Sequence, residues 1–409
     1  MADPGTARHP AAPGRFAPES LAMTLLLTTL VAFGALSNNM YLPSLPAMAR
    51  ELGVPISAVL GTLSAFFIGF GVGQLFYGSL SDRFGRRPVL LAGLAGYTVA
   101  SAVCAFAPDI TTLVAARLVQ GLAAAASQVL ARAIVRDLLP PDRAARLMSV
   151  MAAVFTIVPG FAPILGGLLE AAFGWRVTFM VLTAIGVTVT VTTWRGFAES
   201  LKRLDNRALD GAILLYNYTA LLRSPVFIGY TFAFAFNFAG MFAFHSASSF
   251  VFIDLLGFTP AVYGLFFMAV VMGYLIGSIA SARMTIGTGY RRLVAIGGII
   301  AISGGGAMVA LLAAGFHGWW VIVAPQFVFM LGTGLIMPNS IAGALAPFAD
   351  KAGAASALFG FLQQATGAVM IWLIGVAADG SEWPMALGIL AGGMLSLAAW
   401  GLAQSAHPR

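Results

Sequence analysis

The sequence predicts an all-α membrane protein of twelve transmembrane helices in two six-helix bundles, with both termini in the cytoplasm. Composition, the spacing of apolar runs and the placement of basic residues all point there. Of the 409 residues, 59% are hydrophobic and 9% are charged, against roughly 25% charged in a soluble domain. A water-soluble core cannot absorb so much apolar surface. At about 20 apolar residues per span the chain accommodates roughly twelve spans, and no sizeable extramembrane domain fits beside them.

Apolar runs between Pro, Gly and charged breaks fall at 21–44, 55–79, 88–107, 111–134, 147–172 and 175–195. Six more follow at 226–252, 261–284, 293–315, 319–343, 353–377 and 384–403. The polar stretch between the two sets carries Arg195, Glu199, Lys202, Arg203, Asp205, Arg207 and Asp210 near the chain midpoint. The predicted organisation is therefore a tail at 1–20, a bundle at 21–195, a linker at 196–225, a second bundle at 226–403 and a short tail at 404–409. The first tail is rich in Pro, Ala and Gly with Arg8 and Arg15, and reads as disordered. The apolar stretch after it is too long for a signal-peptide core and reads as a retained span.

Cytoplasmic loops carry the excess of Lys and Arg. With the N-terminus inside, 19 of the 22 basic residues fall on the cytoplasmic side. Arg50 and Arg176 fall outside, and Arg117 lies within span four. An odd number of spans would break this alternation. The six-plus-six pattern has the form of a duplicated transporter with its site at the midplane between the repeats.

Other function classes are excluded by what the chain lacks. The net charge of +7 is spread over short gaps between apolar runs and forms no basic stripe beside aromatic platforms, so nucleic acid is not a partner. Cys104 is the single cysteine, and no disulfide framework exists. An ATP-driven pump needs a phosphate loop ending in Gly-Lys, but the two lysines, Lys202 and Lys351, do not follow glycine. His9, His245, His317 and His407 are scattered, so the chain has no cluster for metal or nucleophile chemistry.

The loop after span two is the most specific signal: Gly78-Ser79-Leu80-Ser81-Asp82-Arg83-Phe84-Gly85-Arg86-Arg87. Gly78 allows close helix approach, Gly85 permits a tight turn, and the arginines hold the loop at the anionic inner leaflet. Asp82 is not needed for topology and is suited to meeting the positive end of a neighbouring helix, as a conformational latch. A weaker copy, Gly277-Ser278-Ile279-Ala280-Ser281-Ala282-Arg283, follows span eight without the Asp-Arg core.

That order resembles the signature loop of the major facilitator superfamily. Arg117-Leu118-Val119-Gln120-Gly121 resembles its span-four motif, and Pro159-Gly160-Phe161-Ala162-Pro163-Ile164-Leu165-Gly166-Gly167 resembles the span-five motif of its drug-proton antiporters. Asn38-Asn39-Met40-Tyr41-Leu42-Pro43 is similar to the Asp-Met-Tyr-Leu-Pro segment of bicyclomycin and chloramphenicol exporters, as are Met337-Pro338-Asn339 and Gly353-Ala354-Ala355-Ser356-Ala357 with Gly360 and Gln363. The match departs at Ala162, where the motif has Gly, and at Asn39, where the subfamily has Asp. The second departure removes the usual proton-coupling acid.

The resemblance implies a major facilitator fold and alternating access. It also implies export of a small amphipathic drug or a secreted metabolite such as a siderophore, driven by the proton gradient without a bound cofactor. A multi-pass protein of the bacterial inner membrane, acting as a monomer in the lipid bilayer, is the corresponding setting.

Beside that resemblance stand readings of individual residues. Pro159 and Pro163 share a helix face and loosen it, with Gly166 and Gly167 admitting another helix; bending for gating and ordinary tolerance of Pro in membrane helices are both open. Arg117 either faces a polar cavity or snorkels outward, and Gln120 on the same face favours the cavity. Asn38, Asn39 and Tyr41 are hydrogen-bonding candidates in the first half; Asn237, His245 and Gln363 are those of the second. His245, among Phe242, Phe244 and Phe250, is either hydrogen-bonded structure or a proton carrier. All fifteen acidic residues fall in tails, loops or span ends. The cavity is thus expected to be neutral to positive, favouring neutral or anionic cargo over lipophilic cations.

Overall fold

The computed structural model describes residues 16–405, and every regular element among them is a helix. In order, α1 is Leu21–Asn39, α2 Leu45–Leu52, α3 Ile56–Phe84, α4 Arg86–Ala105, α5 Ile110–Leu138, α6 Pro141–Phe173 and α7 Trp175–Gly196. Then α8 is Gly211–Leu222, α9 Pro225–Ser249, α10 Pro260–Thr288, α11 Tyr290–Ala313, α12 Trp319–Leu345, α13 Ala352–Ala377 and α14 Trp383–Ser405. Among the described residues, eleven continuous helical stretches are long and apolar enough to cross a membrane. One of them, Trp319–Ala377, has 59 residues and contains both α12 and α13, separated at Phe348 by a non-helical φ of −125° and ψ of 41°. Divided there, it makes twelve spans.

The helices are longer than the apolar runs at α3, α5, α6 and α10. Hydropathy marks where a helix meets hydrocarbon, but backbone hydrogen bonding continues into the interfacial layer, where charged residues are solvated. Arg136, beyond the apolar run 111–134, accordingly lies inside α5.

The first span is also not one rod. It ends as an α-helix at Asn39, passes through a 3₁₀ turn at Leu42–Ser44 and resumes as α2. Pro43 and Pro46 each remove a backbone donor at this point. Residues 16–20, assigned to the tail by composition, are packed: the Phe16 amide donates to the Gly196 carbonyl at 3.1 Å, and Ser20 caps α1 through Met23 at 3.2 Å. The rest of that tail and residues 406–409 lie outside the described residues. The linker contains a helix, α8, whose Tyr218 hydroxyl donates to the Leu75 carbonyl at 2.9 Å.

Packing follows glycine. Gly69 and Gly73 of α3 press against the Leu118 and Leu122 backbone of α5, and Gly273 and Gly277 of α10 press against the Phe327 and Leu331 backbone of α12. This is the small-residue-every-fourth pattern of membrane helix pairs, used twice at equivalent places. α4 also lies on α5 and α7, as α11 does on α12 and α14; α9 packs on α13 and α14. α3 further runs along α13, and α6 along α10. Large apolar side chains such as Val99, Phe106 and Trp372 point outward, as they must where the solvent is lipid.

Candidate functional site

Arg117 organises the interior of α1 to α7. It is fully buried, its guanidinium lying 4.3 Å from the ring centroids of both Tyr41 and Phe66. Its Nη1 donates to Gln120 Oε1 at 2.6 Å and to the Ser37 carbonyl at 3.4 Å. Nε and Nη2 are buried without a partner. No ion pair is formed by Arg117 among the described residues, so the aromatic faces and Gln120 carry its stabilisation. Cation–π contacts strengthen when desolvated, to about 2 kcal/mol each.

Gln120 passes the network on, donating from Nε2 to Ser101 Oγ at 2.7 Å. Ser101 donates to the Tyr97 carbonyl at 2.8 Å, while the Tyr97 hydroxyl meets Ser37 Oγ. Tyr41 is held by Thr62 at 3.3 Å. Of the five first-half candidates, the structure thus joins Tyr41, Arg117 and Gln120. Asn38 and Asn39 are buried, but neither bonds to Arg117; both Oδ1 atoms are unpartnered, and Asn39 Nδ2 donates to Ala35 at 2.7 Å. Sequence reasoning missed Ser37, Phe66, Tyr97 and Ser101. A polar residue inside an apolar run is the only signal for Ser37, Tyr97 and Ser101, Phe66 carries none, and nothing in the sequence says which of them meet.

In the second half, Asn237 of α9 is fully buried with both amide atoms unpartnered. Gln326 of α12, not singled out from sequence, is in the same condition. His245 Nδ1 bonds the Met241 carbonyl at 2.8 Å, and as a carbonyl only accepts, that nitrogen carries the proton. The ring stacks on Phe242 at 4.7 Å and meets the edge of Phe267 at 4.8 Å. Phe250, named as its neighbour in sequence, makes no ring contact with it. Gln363 is only partly buried; its neighbour Gln364 is buried with an unpartnered Oε1. One residue of helical phase separates the two, and the Gln364 Cβ sits on Gly71 of α3.

Helix α6 runs unbroken through Pro159 and Pro163. Gly166 meets the Met40 carbonyl and Gly167 the Pro260 carbonyl, while Gly264 of α10 backs onto Pro163 and Ile164. The glycines therefore admit two neighbours, the bent end of span one and the start of α10.

The loop between α3 and α4 is held by three carboxylates. Asp82 pairs with Arg86 at 2.6 Å, and Asp137 of α5 takes the Arg86 Nε at 2.9 Å. Arg86 also donates to Ser81 at 2.6 Å. The positive N-terminus of α4 is met by Glu199, not Asp82: its two oxygens accept from the Arg86 and Arg87 amides, each at 3.0 Å. Gly85 has φ +100° and lies against Glu199, an approach and a conformation that suit only glycine. Arg87 reaches the Trp194 carbonyl at 2.8 Å, Arg83 lies over Phe84, and Gly78 has open space beside it.

An ionisable side chain held inside a helical membrane bundle marks a solute or ion pathway, and this places the chain among polytopic transport proteins. The chain belongs to the Major Facilitator Superfamily, whose family model matches residues 27–369. It is 32% identical to a bicyclomycin resistance protein homolog of Haemophilus influenzae, covering 88% of this chain and 89% of that one. It is 28% identical to multidrug resistance protein D of Escherichia coli, covering 92% and 94%. Among solved structures, a D-xylose-proton symporter superposes with a TM-score of 0.75 at 15% identity, covering 95% and 98%; at that identity the likeness speaks for the fold. The protein is a multi-pass membrane transporter and not an enzyme.

Proposed function

We propose that this transporter exports a small neutral or anionic polar molecule across the bacterial inner membrane, driven by the proton gradient. Two six-helix bundles, α1 to α7 and α9 to α14, rock against each other along α3–α13 and α6–α10, with both termini in the cytoplasm and one chain sufficing. The buried, acid-free Arg117 carries this reading. Two of its nitrogens, Nε and Nη2, have no partner, and a buried donor left unpaired costs about 1–3 kcal/mol. A carboxylate, phosphate or carbonyl oxygen arriving in the cavity removes that cost, whereas a lipophilic cation meets repulsion in a low dielectric. Gln120, Tyr41 and the amides Asn38, Asn39, Asn237 and Gln364 supply further hydrogen bonds.

The relatives' names favour drug efflux. The unpaired guanidinium favours an acid-bearing secreted metabolite of the siderophore type. Asp82 and Arg86 act as the latch of the inner ends, and α6 acts as the gating helix.

Export from proteoliposomes under an imposed pH gradient tests this with anionic, neutral and cationic probes. The anionic and neutral probes are expected to move and the cations to lag, and Asn39→Asp should shift the preference toward cations. Strong cation export by the unmodified protein, indifferent to Asn39→Asp, refutes the charge preference. A deletion strain that loses secretion of a chelator but keeps its drug resistance decides for the metabolite.

A further inference from the structure

Five charged side chains gather at the ends of the helices opposite the linker, the outer side in the proposed topology. Arg50 and Glu51 come from α2, Glu170 from the end of α6, Arg176 from α7, and Asp254 from the π-helical turn Phe250–Leu255 that ends α9. Arg176 is committed to Glu51, which also accepts from Trp175 Nε1 at 2.8 Å. Arg50 is committed to Asp254 at 2.5 Å. Among the described residues this is the only ion pair that joins the first six spans to the last six.

Three acids thus share two arginines, and Glu170 is left over. It is partly buried and lies against the fully buried Ser44 hydroxyl, the one polar neighbour within reach of its carboxylate, but the two do not meet in full hydrogen-bond geometry and no cation is paired with it. Its charged neighbours are Arg50 and Glu51. The helices packed on α6 add nothing else at this end: α1 is uncharged, α10 offers only Tyr263, already bonded to Ser248 at 3.0 Å, and Asp109 before α5 is turned to its own helix through Thr112 at 2.8 Å.

We infer that Glu170 is a proton-binding site, and that Arg50 switches between Asp254, which closes the outer side, and Glu170, which holds it open. In the open state Arg50 and Glu170 pair within one half. A hydronium ion from outside gives its proton to Glu170 Oε2 and leaves as water. Arg50 is then free to cross to Asp254, and the outer ends close.

The closed arrangement, which is the one seen here, binds one proton more than the open one. Low external pH therefore closes the outer side, the direction a proton-for-solute exchanger requires. The site stands in for the first-span acid that Asn39 lacks. It rests on the exporter reading for its direction, but not for its measurement.

The test uses the full chain in lipid nanodiscs, spin-labelled at the exposed outer ends through Phe106→Cys and Phe316→Cys with Cys104→Ala. Interspin distances are recorded against pH. One extra proton in the closed state gives at most about a tenfold change in the closed-to-open ratio per pH unit, the ratio rising as pH falls.

Glu170→Gln should stay closed with no pH slope, Asp254→Asn should open at every pH, and Glu51→Gln should keep the slope. Glu170→Asp retains a titrating acid, so it should keep a slope with a displaced midpoint and separates titration from misfolding. A full slope in Glu170→Gln, or an unchanged closed population in Asp254→Asn, overturns the inference. An intact slope beside zero flux of every probe would instead sink the exporter reading and leave this site standing.

Discussion

Replacing Arg117 with methionine separates a binding group from a structural one. Methionine keeps much of the side chain's length and packs on aromatic rings, so it fills the space between Tyr41 and Phe66 without charge. The guanidinium loses about 2 kcal/mol of attraction at each ring, both 4.3 Å away. Against this, a buried membrane charge and two unpartnered donors disappear, relieving several kcal/mol. What remains is the Gln120 acceptor, left unpaired at about 1–3 kcal/mol.

The expected outcome is a stability within about 2 kcal/mol of the parent, with transport of anionic probes reduced at least tenfold. Cys104 is fully buried, so a thiol-reactive dye reports unfolding directly, and flux is read on the same preparation. Adding Gln120→Leu should recover the stability lost and no transport. Arg117→Met at parental flux would refute the site. A collapse in the unfolding midpoint would show instead that the guanidinium is scaffold.

Two further perturbations test the frame around the site. Asp82→Asn removes one carboxylate from Arg86 but leaves Asp137 at 2.9 Å, so insertion and folding should hold while transport falls severalfold; equal transport at equal expression would dismiss the latch. Gly166→Ala drives a methyl into the Met40 carbonyl and should cost about 1–3 kcal/mol, whereas Gly306→Ala, with nothing nearby, should be neutral or stabilise α11 by up to about 1 kcal/mol. Comparable unfolding midpoints for the two would show that the α6 crossing is not tight.

Part of the site was legible because charge inside an apolar run is conspicuous wherever it falls. Arg117 and Gln120 stood out by spacing alone, and their bond follows from three residues of helix. Gln363 was named through the resemblance alone; α13 turns the next residue, Gln364, toward α3, and helical phase cannot be read without knowing which neighbour covers the face. Asp82 was read as meeting the positive end of a neighbouring helix because topology does not need a carboxylate there. At the N-terminus of α4 the carboxylate is that of Glu199, 113 residues further along the chain than Arg86, and nothing in the loop's own sequence points there.

The sequence by itself determined that this chain lives in a membrane, how many times it is long enough to cross, and that its one mid-span arginine has no acid on a mid-span position to meet. These are properties of single residues and of runs along the chain, and the cost of placing each group in hydrocarbon decides them. Tertiary structure alone decided which polar groups close around Arg117, that α6 is pinned between span one and α10 by Gly166 and Gly167, and that Glu170 is the acid left without a cation. Those depend on which helix faces meet. Backbone approach at small residues sets that, and the pairing energies then fall to whichever charges the packing has brought within reach.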